Sequence, residues 1–260
     1  MGVWQVDPKI TARVVRDGIE AGFRLIDTAQ GYHNEDGVGE AIRSAAVPRE
    51  QLFVTSKLRN GAHDRDSALR SFEATMTALG LDRLDMFLIH WPVPSQGKYV
   101  EAWKTLVELK EQGRIASIGV SNFNPDHLER IVGETGVAPV VDQIELHPYF
   151  QQRDKRDPLA QMDIRIECYS PLGLGEALKD GTIADIARAH GKSPAQTIIR
   201  WHLQQGLIAI PKSIHADRLR QNLDVFDFKL SEEEMRRIDS LDRGGSGRMG
   251  SDPATASFLF

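Results

Sequence analysis

Cysteine is nearly absent from this chain, since Cys168 is the only one among 260 residues. A single cysteine excludes an intramolecular disulfide and a metal cluster held by several thiolates, and one reduced thiol suits the cytosol. A secretory or membrane-spanning segment is also missing, because Asp7 and Pro8 interrupt the short apolar start. We therefore predict a cytoplasmic protein.

A strong charge of either sign is lacking as well. The net charge is −5, the isoelectric point is about 5.9, and lysine and arginine form no long runs. The chain therefore has no general attraction to nucleic acid or to an anionic membrane, and we predict neither as a partner. With 41% hydrophobic and 27% charged residues, a chain of this length is typical of one large α/β domain.

Short apolar runs alternate with amphipathic stretches along almost the whole chain, a pattern that requires a parallel sheet covered by helices. We predict strands at Val3–Val6, Phe23–Ile26, Leu52–Ser56, Met86–Ile89, Ser117–Val120, Val140–Ile144, Ile164–Tyr169 and Leu207–Ile210. Predicted helices include Ile10–Ala21, Asp66–Leu79, Val100–Glu111, Pro125–Val132, Ile183–His190, Pro194–Gln204 and Ser231–Leu241. Eight strand-and-helix units favour a (β/α)8 barrel, here as a single domain over residues 1–260.

The end of the chain breaks this pattern. Residues 242–260 begin with a segment rich in glycine, serine and charge, after a helix that Ser231 and Glu234 open as a capping box. We predict a C-terminal loop or tail here. A disordered tail without function and a lid on the substrate side remain open as alternatives.

Three successive predicted strands lead into a polar residue. Asp27 follows one apolar run and is itself followed by Tyr32 on the next loop. Lys57 and His90 end the next two runs. Because the strand ends of a parallel barrel converge on one mouth, we expect these four side chains to form one site.

These four residue types suit a proton donor. A tyrosine has a pKa of about 10, and a nearby lysine ammonium stabilises the phenolate, so we expect Lys57 to lower the pKa of Tyr32. Asp27 can keep Lys57 protonated, and a neutral His90 can hydrogen-bond a substrate oxygen. The predicted chemistry is protonation of a developing alkoxide, as carbonyl reduction requires.

A phosphate site is predicted where the last strand leads into a helix. Lys212, Ser213 and Arg218 surround the start of that helix, and cationic side chains at a helix N-terminus bind phosphate. The glycine pairs Gly37 with Gly39 and Gly173 with Gly175 are isolated, and no G-x-G-x-x-G follows the first strand. A Rossmann-type nucleotide site is therefore not supported.

Three segments carry a resemblance to a known family. They are Gly22-Phe-Arg-Leu-Ile-Asp-Thr-Ala with Tyr32 and Glu35, Ile118-Gly-Val-Ser-Asn-Phe123, and Ile210-Pro-Lys-Ser with Arg218 and Asn222. The chain resembles the aldo-keto reductases over nearly its whole length, especially the bacterial branch that contains the 2,5-diketo-D-gluconate reductases. The resemblance implies a (β/α)8 barrel that binds NADPH in an extended form, without metal or flavin. It also implies that Asp27, Tyr32, Lys57 and His90 are catalytic, with Tyr32 as general acid.

The same resemblance implies further site residues. Ser121, Asn122 and Gln143 match positions that hold the nicotinamide carboxamide, and Tyr169 matches the ring that stacks on the nicotinamide. Further cofactor-binding residues are implied at Gly2, Val3, Trp4, Ser170 and Leu172, with Lys212, Ser213, Arg218 and Asn222 around the adenosine 2′-phosphate and adenine. The implied substrate-binding residues are Trp4, Tyr32, His90 and Trp91.

The chain also departs from the family pattern. Family members usually carry a hairpin of about a dozen or more residues before the segment Gly2-Val-Trp, and here that N-terminal hairpin is missing. His215 and Gln221 stand where close relatives often carry an arginine and a glutamate near the 2′-phosphate. The preference for NADPH over NADH is therefore expected to be loosened.

Two other functions remain as alternatives. Some family members are non-catalytic NADPH-binding subunits of larger assemblies, although a complete catalytic set argues against that reading. A Schiff-base aldolase would need a neutral Lys57, whereas Asp27 favours its protonated form. The expected substrates are small aldehydes, α-dicarbonyls or keto-sugars, because the aromatic walls Trp4 and Trp91 suit them. The family's usual state is a monomer.

Overall fold

Seven parallel strands form one curled sheet in the computed structural model, which describes residues 1–260. The strands follow one another across the sheet in chain order, as in the wall of a parallel barrel. They are β1 (Leu25–Asp27), β2 (Phe53–Leu58), β3 (Leu84–Ile89), β4 (Ile115–Ser121), β5 (Val141–Glu145), β6 (Arg165–Tyr169) and β7 (Ile208–Ala209).

The first three residues join the two edges of this sheet. The Val3 N–H donates to the Asp27 carbonyl at 3.1 Å, and the Gly2 N–H donates to the Pro211 carbonyl beyond β7 at 3.3 Å. The predicted strand Val3–Val6 is wrong, because Trp4 and Gln5 form a turn in which Gln5 has φ 57°. The extended segment therefore lies two residues earlier than predicted.

Ten α-helices accompany the strands, and most lie on the outside of the sheet. They are α1 (Pro8–Ala21), α2 (Glu35–Ser44), α3 (Arg65–Leu79), α4 (Tyr99–Glu111), α5 (Pro125–Thr135), α6 (Arg153–Gln161), α7 (Gly181–Ala189), α8 (Pro194–Gln204), α9 (Ala216–Leu223) and α10 (Glu232–Asp239). The predicted helices occur with shifts of a few residues at their ends. Helices α2 and α6 were not predicted, and α6 contains Pro158 and five consecutive charged residues.

The core lies between the outer face of the sheet and these helices. It includes Trp103 on α4 and Trp201 on α8, which are fully buried and donate their indole N–H groups to Val137 O and Asp239 Oδ1. At Gly39 on α2, a Cβ atom would overlap the backbone of Leu79 on α3. Glycine is therefore required for the close approach of these two helices.

Residues 242–260 lie across the mouth of the sheet, at the carboxyl ends of the strands. The backbone N–H groups of Met249 and Gly250 donate to the Glu145 carboxylate at the end of β5. Near the end of the chain, the Asn60 side chain donates to the Phe258 carbonyl at 3.0 Å. The predicted tail thus packs on the side where the candidate site is found. No helix in the structure has the length and apolar character needed to cross a bilayer.

Candidate active site

The four predicted catalytic residues meet at the mouth of the sheet. Lys57, at the end of β2, donates to both carboxylate oxygens of Asp27 at 2.7 and 2.8 Å and to the Tyr32 hydroxyl at 3.3 Å. The Tyr32 ring lies edge-to-face with the His90 ring, with 5.7 Å between centroids. The structure therefore brings Asp27, Lys57, Tyr32 and His90 into one contiguous cluster.

Lys57 is a fully buried cation. Burial is the largest single influence and lowers the pKa of its ammonium, but the charge and hydrogen bond of Asp27, together with Tyr32 and Glu167, outweigh burial, and the pKa lies above its usual value. Lys57 also donates to the Thr28 carbonyl at 2.9 Å, so all three of its hydrogens have partners. The cluster therefore contains a positive charge that is fixed in position directly beside Tyr32.

The pKa of Tyr32 differs from the expectation. Burial is the largest influence and raises the pKa of this phenol above its usual value, although Lys57 acts in the opposite direction. The expected net lowering by Lys57 was wrong, because sequence reasoning counted the charge and not the loss of water around the ring. A raised pKa keeps the proton on Tyr32 at neutral pH, which is the state a general acid requires.

His90 is a buried imidazole without a protein hydrogen-bond partner on its ring. Its Nδ1 atom is inaccessible and unpaired, and burial together with the charge of Lys57 holds its pKa well below 6.5. A neutral imidazole carries one N–H donor and no charge that competes with Lys57. The ring can therefore hydrogen-bond a ligand oxygen placed beside Tyr32.

Polar side chains from β4, β5 and β6 form a second group beside this cluster. Asn122 donates to the His90 carbonyl at 3.1 Å and to the Ser121 hydroxyl at 3.0 Å, and it accepts from the Tyr169 hydroxyl at 2.9 Å. Gln143 donates to Asp27 at 2.8 Å. The predicted carboxamide-binding residues and the predicted stacking ring therefore form one hydrogen-bonded network with the four-residue cluster.

The other residues predicted near the nicotinamide half of the cofactor differ in exposure. Trp4 has 45% of its surface exposed, and Ser170 and Leu172 are partly exposed, so a ligand can contact them. Gly2 is buried and Val3 has no exposed surface. Any contribution of Val3 would therefore come through packing and not through direct contact.

The predicted phosphate site lies at the start of α9. Lys212 and Arg218 are exposed and form no ion pair or side-chain hydrogen bond with the protein. Arg220 on the same helix is instead paired with Asp217 at 2.9 Å. Ser213 and Asn222 are mostly buried beneath this surface. Two unpaired cations at a helix N-terminus fit a phosphate group.

Aromatic rings from the C-terminal segment pack on His90 and Trp91, two of the predicted substrate-binding residues. The Trp91 ring lies edge-to-face with Phe258 at 5.1 Å, and the His90 ring lies edge-to-face with Phe260 at 5.1 Å. Phe258 and Phe260 stack on each other at 5.6 Å. The sequence analysis named Trp91 but did not single out the two phenylalanines within the C-terminal segment, for which a disordered tail and a lid remained as alternatives.

Two further buried carboxylates at the site were not predicted. Glu145 lies two residues after Gln143 on β5, and Glu167 lies two residues before Tyr169 on β6. Alternate residues of a strand share one face, so the period of two could have placed both side chains on the inner face with their predicted neighbours.

The barrel architecture and the four-residue cluster define a class of oxidoreductase. The chain belongs to the aldo/keto reductase family, whose sequence model matches residues 1–243. An aldo-keto reductase of Mycolicibacterium smegmatis is 48% identical over 99% of this chain and 93% of its own length. The methylglyoxal reductase DkgA of Escherichia coli is 46% identical over 97% of this chain and 91% of its own length.

Solved structures agree with the sequence relatives. A mutant of Gox0644 crystallised in complex with NADPH has a TM-score of 0.95 and 51% identity over 99% of this chain and 93% of that chain. The Bombyx mori aldo-keto reductase in complex with NADP has a TM-score of 0.88 and 34% identity over 94% of this chain and 88% of that chain. These findings confirm the predicted family, the barrel fold and the NADPH-dependent oxidoreductase class.

Proposed function

We propose that this protein reduces the carbonyl group of small aldehydes, α-dicarbonyls or keto-sugars to an alcohol, with Tyr32 as proton donor. The proposal rests mainly on the contact of the Tyr32 hydroxyl with the Lys57 ammonium. Asp27 forms an ion pair with this ammonium and fixes its position. A phenol in this position has its proton next to a fixed positive charge. That charge stabilises the phenolate left behind once the proton has moved.

The proton step follows from the positions of these groups. A carbonyl oxygen between Tyr32 and His90 can accept a hydrogen bond from the neutral imidazole and from the phenol. As negative charge develops on that oxygen, the Tyr32 proton moves to it, and Lys57 compensates the new charge on the phenolate oxygen. Asp27 holds Lys57 in place through the ion pair between them.

The residues present fit NADPH. Gln143 and Asn122 offer amides at the mouth, Tyr169 offers an aromatic face, and Lys212 and Arg218 are cations without protein partners. When bound, NADPH supplies the hydride that the carbonyl carbon accepts. The protein contributes the proton, orients the carbonyl, and excludes water with the aromatic rings around the mouth.

The substrate class is proposed from the walls of the site. Trp91, Phe258 and Phe260 form an apolar enclosure on one side, whereas His90 and Tyr32 supply the polar contacts. A small carbonyl compound can place its apolar part against the aromatic rings and its carbonyl oxygen beside His90 and Tyr32. The relatives named methylglyoxal reductase support an α-dicarbonyl among the substrates.

The test is the consumption of NADPH in the presence of a carbonyl panel. Methylglyoxal, an aromatic aldehyde and a keto-sugar are compared by kcat/KM, with the loss of NADPH absorbance as the readout. We expect turnover with at least one of them and the formation of the matching alcohol. Tight NADPH binding without turnover of any carbonyl would instead favour a non-catalytic NADPH-binding subunit.

A Schiff-base mechanism at Lys57 is disfavoured by the structure. An amine must be neutral to attack a carbonyl, whereas Asp27 keeps Lys57 protonated. A cytoplasmic location and a monomeric state complete the proposal. The single buried thiol of Cys168 supports the location.

A further inference from the structure

Two buried carboxylates share one amide group inside the barrel. The Gln143 side-chain nitrogen donates to Asp27 Oδ2 at 2.8 Å and to Glu167 Oε2 at 2.7 Å. Gln143 on β5 and Glu167 on β6 are direct register partners, so their side chains leave the sheet side by side. An amide nitrogen has two hydrogens, and the two carboxylates account for both.

This arrangement fixes the orientation of the Gln143 amide. Rotation about the last side-chain bond of glutamine is only weakly restricted, so one hydrogen bond to Asp27 would leave the amide plane free to turn. The second bond, to Glu167, defines that plane. It directs the nitrogen towards the carboxylates and the carbonyl oxygen away from them, and no protein group donates to that oxygen. The carbonyl is left as an acceptor for a ligand N–H.

Glu167 also adds a second negative charge next to the catalytic cluster. The charged and titratable groups around it are Asp27, Lys57, Tyr32, Cys168 and the amino group of Met1. Burial and the charge of Asp27 raise the pKa of Glu167 to about 7. In its ionised form, Glu167 opposes the formation of a phenolate at Tyr32.

We propose that Glu167 is a positioning residue with two effects: it holds the Gln143 amide in the plane that receives the cofactor carboxamide, and its charge tunes proton release from Tyr32. The inference rests on the proposed function, since it assigns Gln143 and Tyr32 the roles given above. It concerns a residue that contacts neither the carbonyl nor the proton directly. Its influence passes through Gln143 and through the charge of the site.

Two substitutions separate the effects. Glu167→Gln keeps an oxygen that can accept from Gln143 but removes the charge, whereas Glu167→Met keeps a similar volume and removes both. Glu129→Gln, at an exposed position on α5, is the matched control. The measurements are the Kd for NADPH by quenching of protein fluorescence, and the pH profile of kcat/KM with the best substrate of the panel.

We expect Glu167→Gln to bind NADPH within about twofold of the parent, because the hydrogen bond persists. The alkaline limb of its pH profile should shift to lower pH, since loss of a neighbouring negative charge stabilises the Tyr32 phenolate. Glu167→Met should show the same shift and an NADPH Kd about 3- to 10-fold higher, the scale of one hydrogen bond. The control should match the parent in both measurements.

Each result decides one part of the proposal. An unchanged Kd in Glu167→Met overturns the positioning of Gln143, and an unshifted alkaline limb in Glu167→Gln overturns the effect of charge. Should Glu167→Met not fold, Glu167→Leu takes its place in the binding measurement. A parent protein that binds NADPH but turns over no carbonyl would contradict the proposed function, while the binding comparison would still test the role of Glu167.

Discussion

The ammonium nitrogen of Lys57 lies 2.7 Å from one carboxylate oxygen of Asp27 and 2.8 Å from the other. Both side chains are buried, so each charge depends on the other for compensation. Loss of one partner of a buried pair typically costs about 3–5 kcal/mol, because the remaining charge stays buried without its counter-ion. Substitution of either Asp27 or Lys57 is therefore expected to destabilise the fold, in addition to any effect on Tyr32.

We expect Asp27→Asn to lower the free energy of unfolding by about 3–5 kcal/mol. The double variant Asp27→Asn with Lys57→Met should lose less than the sum of the two single variants, because it leaves no unpaired charge. Urea denaturation of the four proteins measures this coupling. Additive losses would show that the two charges do not depend on each other.

The proposed phosphate site at Lys212 and Arg218 predicts a selective loss of NADPH affinity when either cation is removed. Lys212→Ala and Arg218→Ala each remove a cation, and a hydrogen bond to a charged group is worth about 1.5–3 kcal/mol, or roughly 10- to 100-fold in Kd. NADH lacks the 2′-phosphate, so its Kd should change little. Arg220→Ala is the control on the same helix, since Arg220 is paired with Asp217. Equal losses for NADPH and NADH would place the 2′-phosphate elsewhere.

The Glu145 carboxylate accepts hydrogen bonds from the C-terminal segment, residues 242–260. We therefore predict that Glu145 holds this segment across the mouth of the sheet. Burial would raise the pKa of Glu145, but hydrogen bonds from His147, Met249 and Gly250 outweigh burial and lower it, so the group is charged at neutral pH. Glu145→Gln removes the charge and leaves one oxygen for two backbone donors. We expect trypsin to cleave after Arg248 about 10-fold faster in this variant. Cleavage at the parental rate, as expected of Glu129→Gln, would show that other contacts hold the segment.

The raised pKa of Asp142 leads us to predict that the stability of the fold depends on pH. Its carboxylate is fully buried, and burial raises its pKa to about 7, against the opposing effects of Lys155 and the Phe123 N–H. The folded state therefore binds more protons than the unfolded state between about pH 4 and 7, so the Asp142 contribution to stability falls as pH rises through this range.

The variant Asp142→Asn has no carboxylate at this position, so the decrease in the free energy of unfolding caused by Asp142 should be absent. The free energy of unfolding of the variant, relative to the parent, should rise between pH 4 and 7 by up to about 1.4 kcal/mol per pH unit. Denaturation at four pH values measures the slope, with Asp82→Asn as an exposed control. Parallel curves for parent and Asp142→Asn would contradict the raised pKa.

The sequence was sufficient for the features that local patterns encode. Helix α8 begins and ends where predicted, because Ser193 and Gln196 form a capping box around Pro194 at its start. The apolar run Met86–Ile89 within β3 is typical of a buried parallel strand. Asp27, Lys57 and His90 could be identified from the sequence because each is a polar residue at the end of an apolar run.

The features that depend on tertiary contacts were less predictable. Met1–Val3 join β1 to the segment after β7 through hydrogen bonds with Asp27 and Pro211, which no local pattern encodes. Helix α6 begins with five charged residues that hide its apolar face. Tyr32 packs against the His90 ring, which is far away in the sequence, so the direction of its pKa shift could not be obtained from neighbouring charges alone.

The most direct test of the account is the turnover of Tyr32→Phe. This substitution removes only the hydroxyl that contacts Lys57, so the fold and the NADPH Kd should stay close to those of the parent. Stopped assays with the best carbonyl of the panel should show kcat reduced by about 10²-fold or more, the scale of general acid catalysis. Parental kcat in a variant that binds NADPH normally would contradict the assignment of Tyr32 as the proton donor.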